Sequence, residues 1–348
     1  MKTELTQSSV SYRCGRMIAI VWLCVVPSIV QAQSKDIIWQ RESGEMVSGE
    51  ILSVDPEIIR IRAKGGIQDI GTEDISKVRF GDDPSGMSGV RSSVDSGQLE
   101  QAQKQIRQVK PGGRDFVRQD AAFYRVLIDS RLALNGQGSI NAAAKAVNDF
   151  LSSNPDSFRY YDASIVMGDL AMTLGRYDVA AKLYGRLTAA KSANRQAEGN
   201  LHQGYALLQG GDADGAGKLF RKAASAADSR TQSLARIGMA SCMTKQGKAE
   251  DAIREIEKVI ASYESTDTEM FARAYNALGT AFVASKNDSA ALDAFLHTDL
   301  LFHREHEQHA EALYHLGSLW SKAQKPAEAA RSRRILKERF PASAWAKK

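Results

Sequence analysis

The chain has 348 residues, of which 43% are hydrophobic and 25% are charged. This composition excludes a polytopic membrane protein, a collagen and a coiled-coil rod, and the length predicts two domains or one elongated repeat array. With 46 basic and 41 acidic residues the formal net charge is +5, too small an excess to indicate a nucleic-acid-binding protein.

Residues 1–32 are typical of a secretory signal peptide. A leader containing Arg13 and Arg16 precedes an uncharged apolar run from Met17 to Val30, and small residues at Val30 and Ala32 fit the positions that a signal peptidase recognises. As a helix, this run would span roughly 21 Å, less than the roughly 30 Å of a bilayer core. We therefore expect cleavage after Ala32 and export to the periplasm or another part of the cell envelope; the alternative is an uncleaved N-terminal anchor.

Cysteine usage leaves no internal disulfide after cleavage. Cys14 and Cys24 lie in the leader, so only Cys242 remains. We expect Cys242 to be a small buried apolar side chain.

Residues 35–83 predict a small β domain. Five short runs rich in β-branched and aromatic residues are separated by turn residues: Ile37–Trp39, Met46–Val47 with Ile51–Val54, Ile58–Arg62, Ile67–Ile70 and Val78–Phe80. A five-strand meander of so few residues cannot have both free edges and a two-layer core. We therefore expect closure into a barrel with a bend at Gly49. The pattern resembles the SH3-like and Sm-like barrels.

Some Sm-like barrels bind RNA, and this region contains the basic residues Arg60, Arg62 and Lys64. Arg60 and Arg62 alternate along one strand and share a face. We expect a solvated outer face there and no nucleic-acid partner.

A shift to Gly, Ser, Asp and Pro after the β domain predicts a linker over residues 84–97. Leading helices are predicted over residues 98–123. The first of them carries Leu99, Ala102, Ile106 and Val109 at three- and four-residue steps and is stopped by Pro111-Gly112-Gly113.

Residues 124–348 repeat with a period of 36 to 39 residues. In each copy a small residue is followed twelve positions later by alanine: Gly168/Ala180, Gly204/Ala216, Ala240/Ala252, Gly279/Ala291 and Gly317/Ala329. With the apolar landmarks around them, these pairs resemble the tetratricopeptide repeat (TPR) family. The resemblance implies stacked antiparallel helix pairs, a right-handed superhelix and a concave surface lined by the first helices.

An earlier, degenerate copy runs from Tyr124 to Pro155. It has Arg131 where a small residue is expected and a glycine-rich turn at residues 135–138, and Arg333 replaces an aromatic residue in the last copy. Terminal repeats lack one stacking neighbour, so a polar outer face is expected there. The predicted fold class is thus mainly α: a TPR α-solenoid behind a small all-β, barrel-like domain.

No sequence motif indicates catalysis or a cofactor. Phosphate-binding and dinucleotide-binding glycine loops and the Gly-x-Ser-x-Gly elbow do not occur. Five of the six histidines fall between His297 and His315, and His303, His306 and His309 recur every third residue. Steps of about 60° on a helix separate His303 from His309 by about 120°, which disfavours a shared metal ion. We expect neither a catalytic nor a metal site, and a solvated turn over residues 303–308.

The TPR resemblance implies a protein or peptide partner in the groove. The residues expected to face it by family position are Asp169, Tyr205, Lys245, Arg273, Asn276, Tyr314 and Lys322. The Lys/Asn clamp with which chaperone-binding TPR domains grip a carboxylate is absent, because Ile165/Asp169, Leu201/Tyr205 and Ile237/Ser241 occupy the matching positions. Tyrosine and leucine at these positions favour apolar anchors.

Residues 336–345 resemble the ends of repeats in bacterial envelope TPR proteins, including those of the Tol-Pal and outer-membrane-assembly groups. The sequence therefore predicts a non-catalytic interaction scaffold of the envelope, with membrane contact only through an uncleaved leader. Two alternatives stay open. One is an accessory subunit of an envelope enzyme or carbohydrate-active complex; the other is a cytoplasmic or membrane-anchored adaptor that binds RNA or protein.

Overall fold

A computed structural model describes residues 35–41, 43–225, 228–263 and 266–348. The predicted signal peptide, residues 1–32, lies outside this range. Within it, no helix is both long and apolar enough to cross a membrane.

The N-terminal region is one antiparallel sheet with strand order β4-β3-β2-β1-β5. All the predicted apolar runs lie in or at the end of strands, which are β1 Asp36–Gln40, β2 Met46–Val54, β3 Ile58–Ala63, β4 Gly66–Gly71 and β5 Ile75–Arg79. The two runs predicted around Gly49 form a single strand, β2, with an irregular register between Ile51 and Ser53. A Cβ on Gly49 would lie 2.1 Å from the carbonyl oxygen of Arg62, so only glycine lets β3 approach here.

The apolar face of the sheet is covered by residues from the helical part of the chain. Ile38, Ile59, Ile61 and Val78 are at most 1% exposed and cluster with Phe158 from the helical region. No pairing joins β4 to β5 among the described strands, so the hydrogen-bonded ladder stays open. The small β-sheet domain is confirmed, whereas the SH3-like barrel stays a prediction.

The strand arginines are paired with carboxylates of the neighbouring strands. Arg60 binds Asp69 through two hydrogen bonds of 2.7 Å, and Arg62 binds Glu50 at 2.8 Å. All four side chains are exposed, as expected for a solvated face whose charges are locally balanced.

The prediction of a linker over residues 84–97 is wrong. Helix α1 (Met87–Asp95) lies there, and Met87, Val90 and Val94 are at most 5% exposed. Their spacing places them on one helical face, which packs in the core with α2 (Leu99–Gln108). The linker was predicted from the glycine and serine content of the segment, without regard to this apolar face.

The remaining helices form consecutive antiparallel pairs. They are α3 Asp115–Leu134, α4 Ile140–Ser153, α5 Tyr160–Thr173, α6 Tyr177–Tyr184, α7 Ala193–Gln209, α8 Ala213–Ala223, α9 Ser229–Lys245, α10 Ala249–Ser262, α11 Thr268–Ala284, α12 Asp288–Leu301, α13 His306–Lys322 and α14 Pro326–Arg339. The array boundary predicted at Tyr124 falls inside α3, which begins nine residues earlier. Helix α3 therefore contains both the last part of the predicted leading helices and the start of the predicted array.

Glycine and alanine lie where the helices touch. A Cβ on Gly204 of α7 would lie 2.8 Å from Cε1 of Phe220 on α8, and a Cβ on Gly279 of α11 would lie 2.7 Å from Cε2 of Phe295 on α12. The five alanines predicted on the second helices are at most 1% exposed. The small residues therefore lie at the helix contacts as predicted, but the group that these glycines admit is an aromatic ring of the second helix and not its backbone.

The β domain is fixed to the array by partly buried polar contacts. Arg114, just before α3, binds Asp36 of β1 (Nη1 to Oδ2, 3.0 Å) and Asp82 (Nε to Oδ1, 3.0 Å). Further along, the hydroxyl of Tyr161 on α5 donates to Glu57 between β2 and β3 at 2.9 Å. Because both contacts link residues far apart in sequence, the β domain and the first helix pairs form one packed body.

The last residues of the chain return to the early helices. The backbone N–H of Ala344 donates to the carbonyl oxygen of Thr173 at the end of α5, at 2.8 Å. Gly136, in the glycine-rich turn after α3, has φ +77°, and its Cβ would lie 2.8 Å from the carbonyl oxygen of Arg339. The glycine-rich turn is therefore a close-contact point, and the array bends until its last pair reaches its first ones.

Candidate partner-binding groove

The first helices of successive pairs face a common hollow of about 590 Å³. Helices α7, α9, α11 and α13 supply most of its wall, and Met172 of α5 together with Trp345 and Lys348 closes it. The C-terminal residues that fold back on α5 thus add a further wall to a partly open groove on the concave face.

Five of the seven residues predicted for the groove line this hollow: Tyr205, Lys245, Arg273, Asn276 and Tyr314. Asp169 and Lys322 do not line it. Asp169 is half-buried on α5 and accepts a hydrogen bond of 2.7 Å from the hydroxyl of Tyr184. Lys322 is exposed at the end of α13 and pairs with Asp288 of α12 at 3.2 Å. These two side chains are bound within the array.

Arg273 is neutralised within the groove wall. Its Nε donates to Glu269 at 3.1 Å, and Arg230 donates to the same carboxylate at 2.7 Å. Burial alone would raise the pKa of Glu269, but the two guanidinium groups outweigh it and lower the pKa to about 2. Arg273 is therefore part of a fixed charge network before any partner binds.

Tyr205 helps to hold the helices together. Its hydroxyl donates to the carbonyl oxygen of Leu234 on α9 at 2.7 Å. Its ring meets Phe220 edge-on at a centroid distance of 4.9 Å, and the Arg273 guanidinium lies 4.5 Å from its centroid. Removal of Tyr205 would disturb packing as well as any partner contact.

Asn276 and Glu311 form a polar pair at the floor of the groove. Asn276 is 2% exposed, and its Nδ2 donates to the carbonyl oxygen of Gln308 at 2.8 Å and to Oε2 of Glu311 at 3.0 Å. Its Oδ1 is buried without a hydrogen-bond partner among the described residues. Burial raises the pKa of Glu311 to about 7, and the Asn276 hydrogen bond opposes this shift.

Glu307 lies one helical turn before Glu311 on α13 and also lines the hollow. Burial raises its pKa and Arg273 opposes the shift. Neither glutamate forms an ion pair with a described residue at 4.0 Å or less. Sequence reasoning missed both glutamates, although their four-residue spacing put them on one helical face, three and seven residues before Tyr314.

An aromatic wall stands beside these carboxylates. The ring centroids of Tyr314 and Trp345 are 5.3 Å apart. The Nζ of Lys348 lies 3.6 Å from the Trp345 centroid and 5.6 Å from the Tyr314 centroid. The chain thus places one of its own ammonium groups on these aromatic faces, within the lining of the groove.

A second hollow of about 690 Å³ lies between α8, α9 and α10. Cys242 lines it and is 4% exposed, which confirms its prediction as a buried side chain. Burial raises the pKa of its thiol to about 11, so it is a poor nucleophile. None of the predicted groove residues lines this hollow, and we therefore place the candidate site in the first one.

The clustered histidines pack as aromatic rings. His297 stacks on Tyr275 at 4.4 Å and His315 on Phe295 at 4.7 Å. His309, predicted near a solvated turn, is 2% exposed, and its Nε2 lies 2.7 Å from Asp299. Among the described residues, no group of three or more metal-ligating side chains is arranged to hold an ion.

The turn predicted over residues 303–308 is shorter than expected. Helix α13 already begins at His306, and Gln308 is 6% exposed. Only the first part of the polar run therefore forms the connection, because the second part enters the helix and packs against the preceding pair.

Residues 165–230 and 245–297 match the family model of the tetratricopeptide repeat. A tetratricopeptide repeat protein from Parabacteroides merdae is similar over 75% of this chain and 96% of its own, with 16% identity and a TM-score of 0.50. A Rap protein complexed with competence and sporulation factor is similar over 74% of this chain and 76% of its own, with 13% identity and a TM-score of 0.52. No curated protein sequence matches the chain.

The repeat assignment thus agrees with both the family model and the observed helix pairs. At these identities the structural likeness shows the fold alone: a TPR-like solenoid preceded by a small antiparallel β-sheet domain. Tetratricopeptide repeat proteins are in general non-catalytic scaffolds for protein interaction.

Proposed function

We propose that the protein is a non-catalytic interaction scaffold of the bacterial cell envelope that holds a segment of a partner protein in the groove between α7 and α13. The hollow of about 590 Å³ in the concave wall carries this proposal. Its walls combine charged and polar side chains with Tyr205, Tyr314, Trp345 and Arg273, and tyrosine, tryptophan and arginine are the residue types enriched at the energetic centres of protein interfaces. The partner segment would lie across the first helices of four consecutive pairs.

The envelope location is part of the proposal and depends on residues 1–32. Their basic leader and short apolar run support export with cleavage after Ala32. N-terminal sequencing of the protein purified from its native cells tests this location: a mature chain that starts at Gln33 supports export, and a chain that starts at Met1 contradicts it.

The groove is tested with a substitution that blocks it without removing a packing contact. Thr280 of α11 lines the hollow, is half-buried and makes no side-chain hydrogen bond with a described residue. We expect Thr280→Arg to abolish co-purification of the partner from envelope extract. Glu257→Arg, at an exposed position on the second helix α10, is the matched control and should retain the partner.

Equal recovery with Thr280→Arg and wild type would contradict groove binding. Circular dichroism of both variants confirms that the array is still folded, because the helical signal depends on the stacked pairs and not on the groove surface.

A further inference from the structure

Two adjacent leucines are exposed to solvent where α12 ends. Leu300 and Leu301 are each 63% exposed, the largest value among the large apolar side chains of the described residues. The packing of the repeat does not require leucine here, because the repeat period aligns these positions with Ala261 and Ser262 at the end of α10. Single exposed leucines are common on protein surfaces, so the surroundings of this pair decide whether it has a function.

Helix α14 ends at the same edge of the array. His309 joins the two helix ends: its Nε2 lies 2.7 Å from Asp299, the residue before the leucines, and its ring centroid is 5.4 Å from that of Phe340, the residue after α14. The connection from α12 to α13 also runs here, since the ring centroids of His303 and His309 are 6.4 Å apart, and Arg304 is the next residue. The leucines, this connection and the end of α14 therefore share one edge.

Exposed basic side chains lie at this edge. Lys337 and Arg339 are in the last turn of α14. With Arg304 they are exposed, and none of the three forms an ion pair at 4.0 Å or less with a described residue. The surrounding segment is basic as a whole: residues 322–348 contain nine basic and two acidic residues, a net charge of +7, whereas the whole chain has +5.

The carboxylates at the same edge already have partners. Asp299 and Glu305 are half-buried; the first is bound to the histidine that joins the helix ends, and the second accepts a hydrogen bond of 2.6 Å from the hydroxyl of Thr268. Glu338 is exposed but pairs with Arg334 at 3.0 Å. The exposed, unpaired charge at this edge is therefore positive.

An apolar pair beside unpaired cations fits the surface of an anionic bilayer. Leucine side chains enter the headgroup region, while lysine and arginine keep their charged ends at the lipid phosphates. A protein partner would need a larger apolar area, because stable interfaces bury about 1,200–2,000 Å² in total, and residues 303–305, which follow the leucines, are polar. The polar outer face that a terminal repeat requires accounts for the charges of α14, but not for the leucines of α12.

We propose that this edge binds the surface of an anionic phospholipid bilayer through two leucines and three cations: Leu300, Leu301, Arg304, Lys337 and Arg339. The leucines enter between the lipid headgroups, and the cations contact the phosphates. None of these five residues lines the groove, so membrane binding and partner binding use different surfaces. The contact belongs to the folded array and is separate from residues 1–32.

The test is flotation with phospholipid vesicles. Wild type and variants are purified from the native cells, so that each chain carries the N-terminus that it has there. Vesicles of phosphatidylcholine and phosphatidylglycerol in equal parts are compared with vesicles of phosphatidylcholine alone. Leu300→Ser/Leu301→Ser removes the apolar pair, and Arg304→Gln/Lys337→Gln removes two of the cations.

The matched control for charge is Lys182→Gln/Lys222→Gln. It removes two positive charges at exposed positions of α6 and α8, away from the proposed edge. Because all the substituted side chains are exposed, circular dichroism should show the same helical signal for every variant.

We expect wild type to bind the anionic vesicles at least about tenfold more tightly than phosphatidylcholine alone. The leucine variant and the Arg304→Gln/Lys337→Gln variant should each lose about tenfold or more in affinity, and the Lys182→Gln/Lys222→Gln control should bind like wild type. Equal binding by the leucine variant and wild type, or equal binding to both kinds of vesicle, would overturn the proposal.

A local readout keeps the test decisive, because a retained leader would also attach the chain to vesicles. An azidophenylalanine coupled to the fluorophore NBD is placed at position 301 or, as a control, at position 257 on the exposed face of α10. With anionic vesicles, the NBD emission should increase and shift to shorter wavelength at position 301 and stay unchanged at position 257. No change at position 301 would overturn the proposal even if the chain floats.

An acidic protein is the other occupant that the basic side chains would suit. If wild type does not float but binds fluorescein-labelled polyglutamate in an anisotropy titration, and Arg304→Gln/Lys337→Gln abolishes that binding, the edge serves an acidic protein and the bilayer proposal is wrong.

Discussion

Gly204→Ala tests the packing that defines the helix pairs. Phe220 of α8 is fully buried, and its ring is wedged between two glycines of neighbouring first helices. A Cβ on Gly204 of α7 would lie 2.8 Å from its Cε1, and a Cβ on Gly238 of α9 would lie 2.5 Å from the same atom. The ring therefore cannot move away from an added methyl group on one side without pressing on the other helix.

Two opposing effects set the magnitude. Replacing a helical glycine by alanine stabilises a helix by about 0.5–1 kcal/mol, whereas overpacking a filled core costs about 1–3 kcal/mol. Because Phe220 is held on both sides, the steric cost wins, and we expect Gly204→Ala to lower the free energy of unfolding by about 1–2 kcal/mol.

Gly217→Ala on α8 is the matched control. The nearest atom to its added Cβ is the Nη1 of Arg221 at 3.7 Å, an ordinary contact. This variant should gain about 0.5–1 kcal/mol from helix propensity alone.

Stability is measured by urea unfolding, monitored by the helical circular dichroism signal at about 222 nm. Variants are compared when the unfolding free energy falls with urea concentration at the same slope. Adding Phe220→Leu to Gly204→Ala should reduce the cost of the alanine, since the smaller side chain leaves room for the methyl group. If Gly204→Ala is as stabilising as Gly217→Ala, the glycine is not needed to make room for the Phe220 ring against α7.

Two further predictions concern buried charge. Asp120 is fully buried and accepts hydrogen bonds from Arg91 and Arg159, each at 2.8 Å. In urea unfolding, Asp120→Ala should lower the free energy of unfolding by about 3–5 kcal/mol, and the exposed Asp149→Ala by less than about 1 kcal/mol. Equal losses would contradict a buried network. The folded-state pKa of Glu311, about 7, lies above its ordinary value of 4.5, so the folded protein loses stability as pH rises between these values. Glu311→Gln should therefore raise the melting temperature relative to wild type at about pH 8 and not at about pH 4, corresponding to about 1–2 kcal/mol after allowance for partial exposure; a difference independent of pH would refute the burial of this carboxylate.

The helix pairs were predictable because their cause is local. A glycine or alanine followed twelve residues later by alanine marks the two contact points of one hairpin, so Gly168/Ala180 and Gly279/Ala291 fall on α5/α6 and α11/α12 as expected. The β-strands were equally predictable, because runs of β-branched residues favour strands. The linker prediction failed because composition outweighed the three-residue and four-residue spacing of Met87, Val90 and Val94.

The groove was only partly predictable, because its closure is not local. Family positions identified Asn276 and Tyr314, but Glu307 and Glu311 share their hollow with C-terminal residues that reach back to Thr173. No spacing within a repeat encodes that return. For the same reason, the sequence could not show that Arg273 is already neutralised by Glu269, or that Lys322 pairs with Asp288 outside the groove.

The most direct measurement is photo-crosslinking from a benzoylphenylalanine placed at Thr280 in the groove or at Glu257 on the exposed face of α10. With envelope extract of the native cells, binding in the groove predicts one specific adduct from position 280 and none from position 257. Adducts from position 257 alone would place the partner on the second helices and contradict binding in the groove.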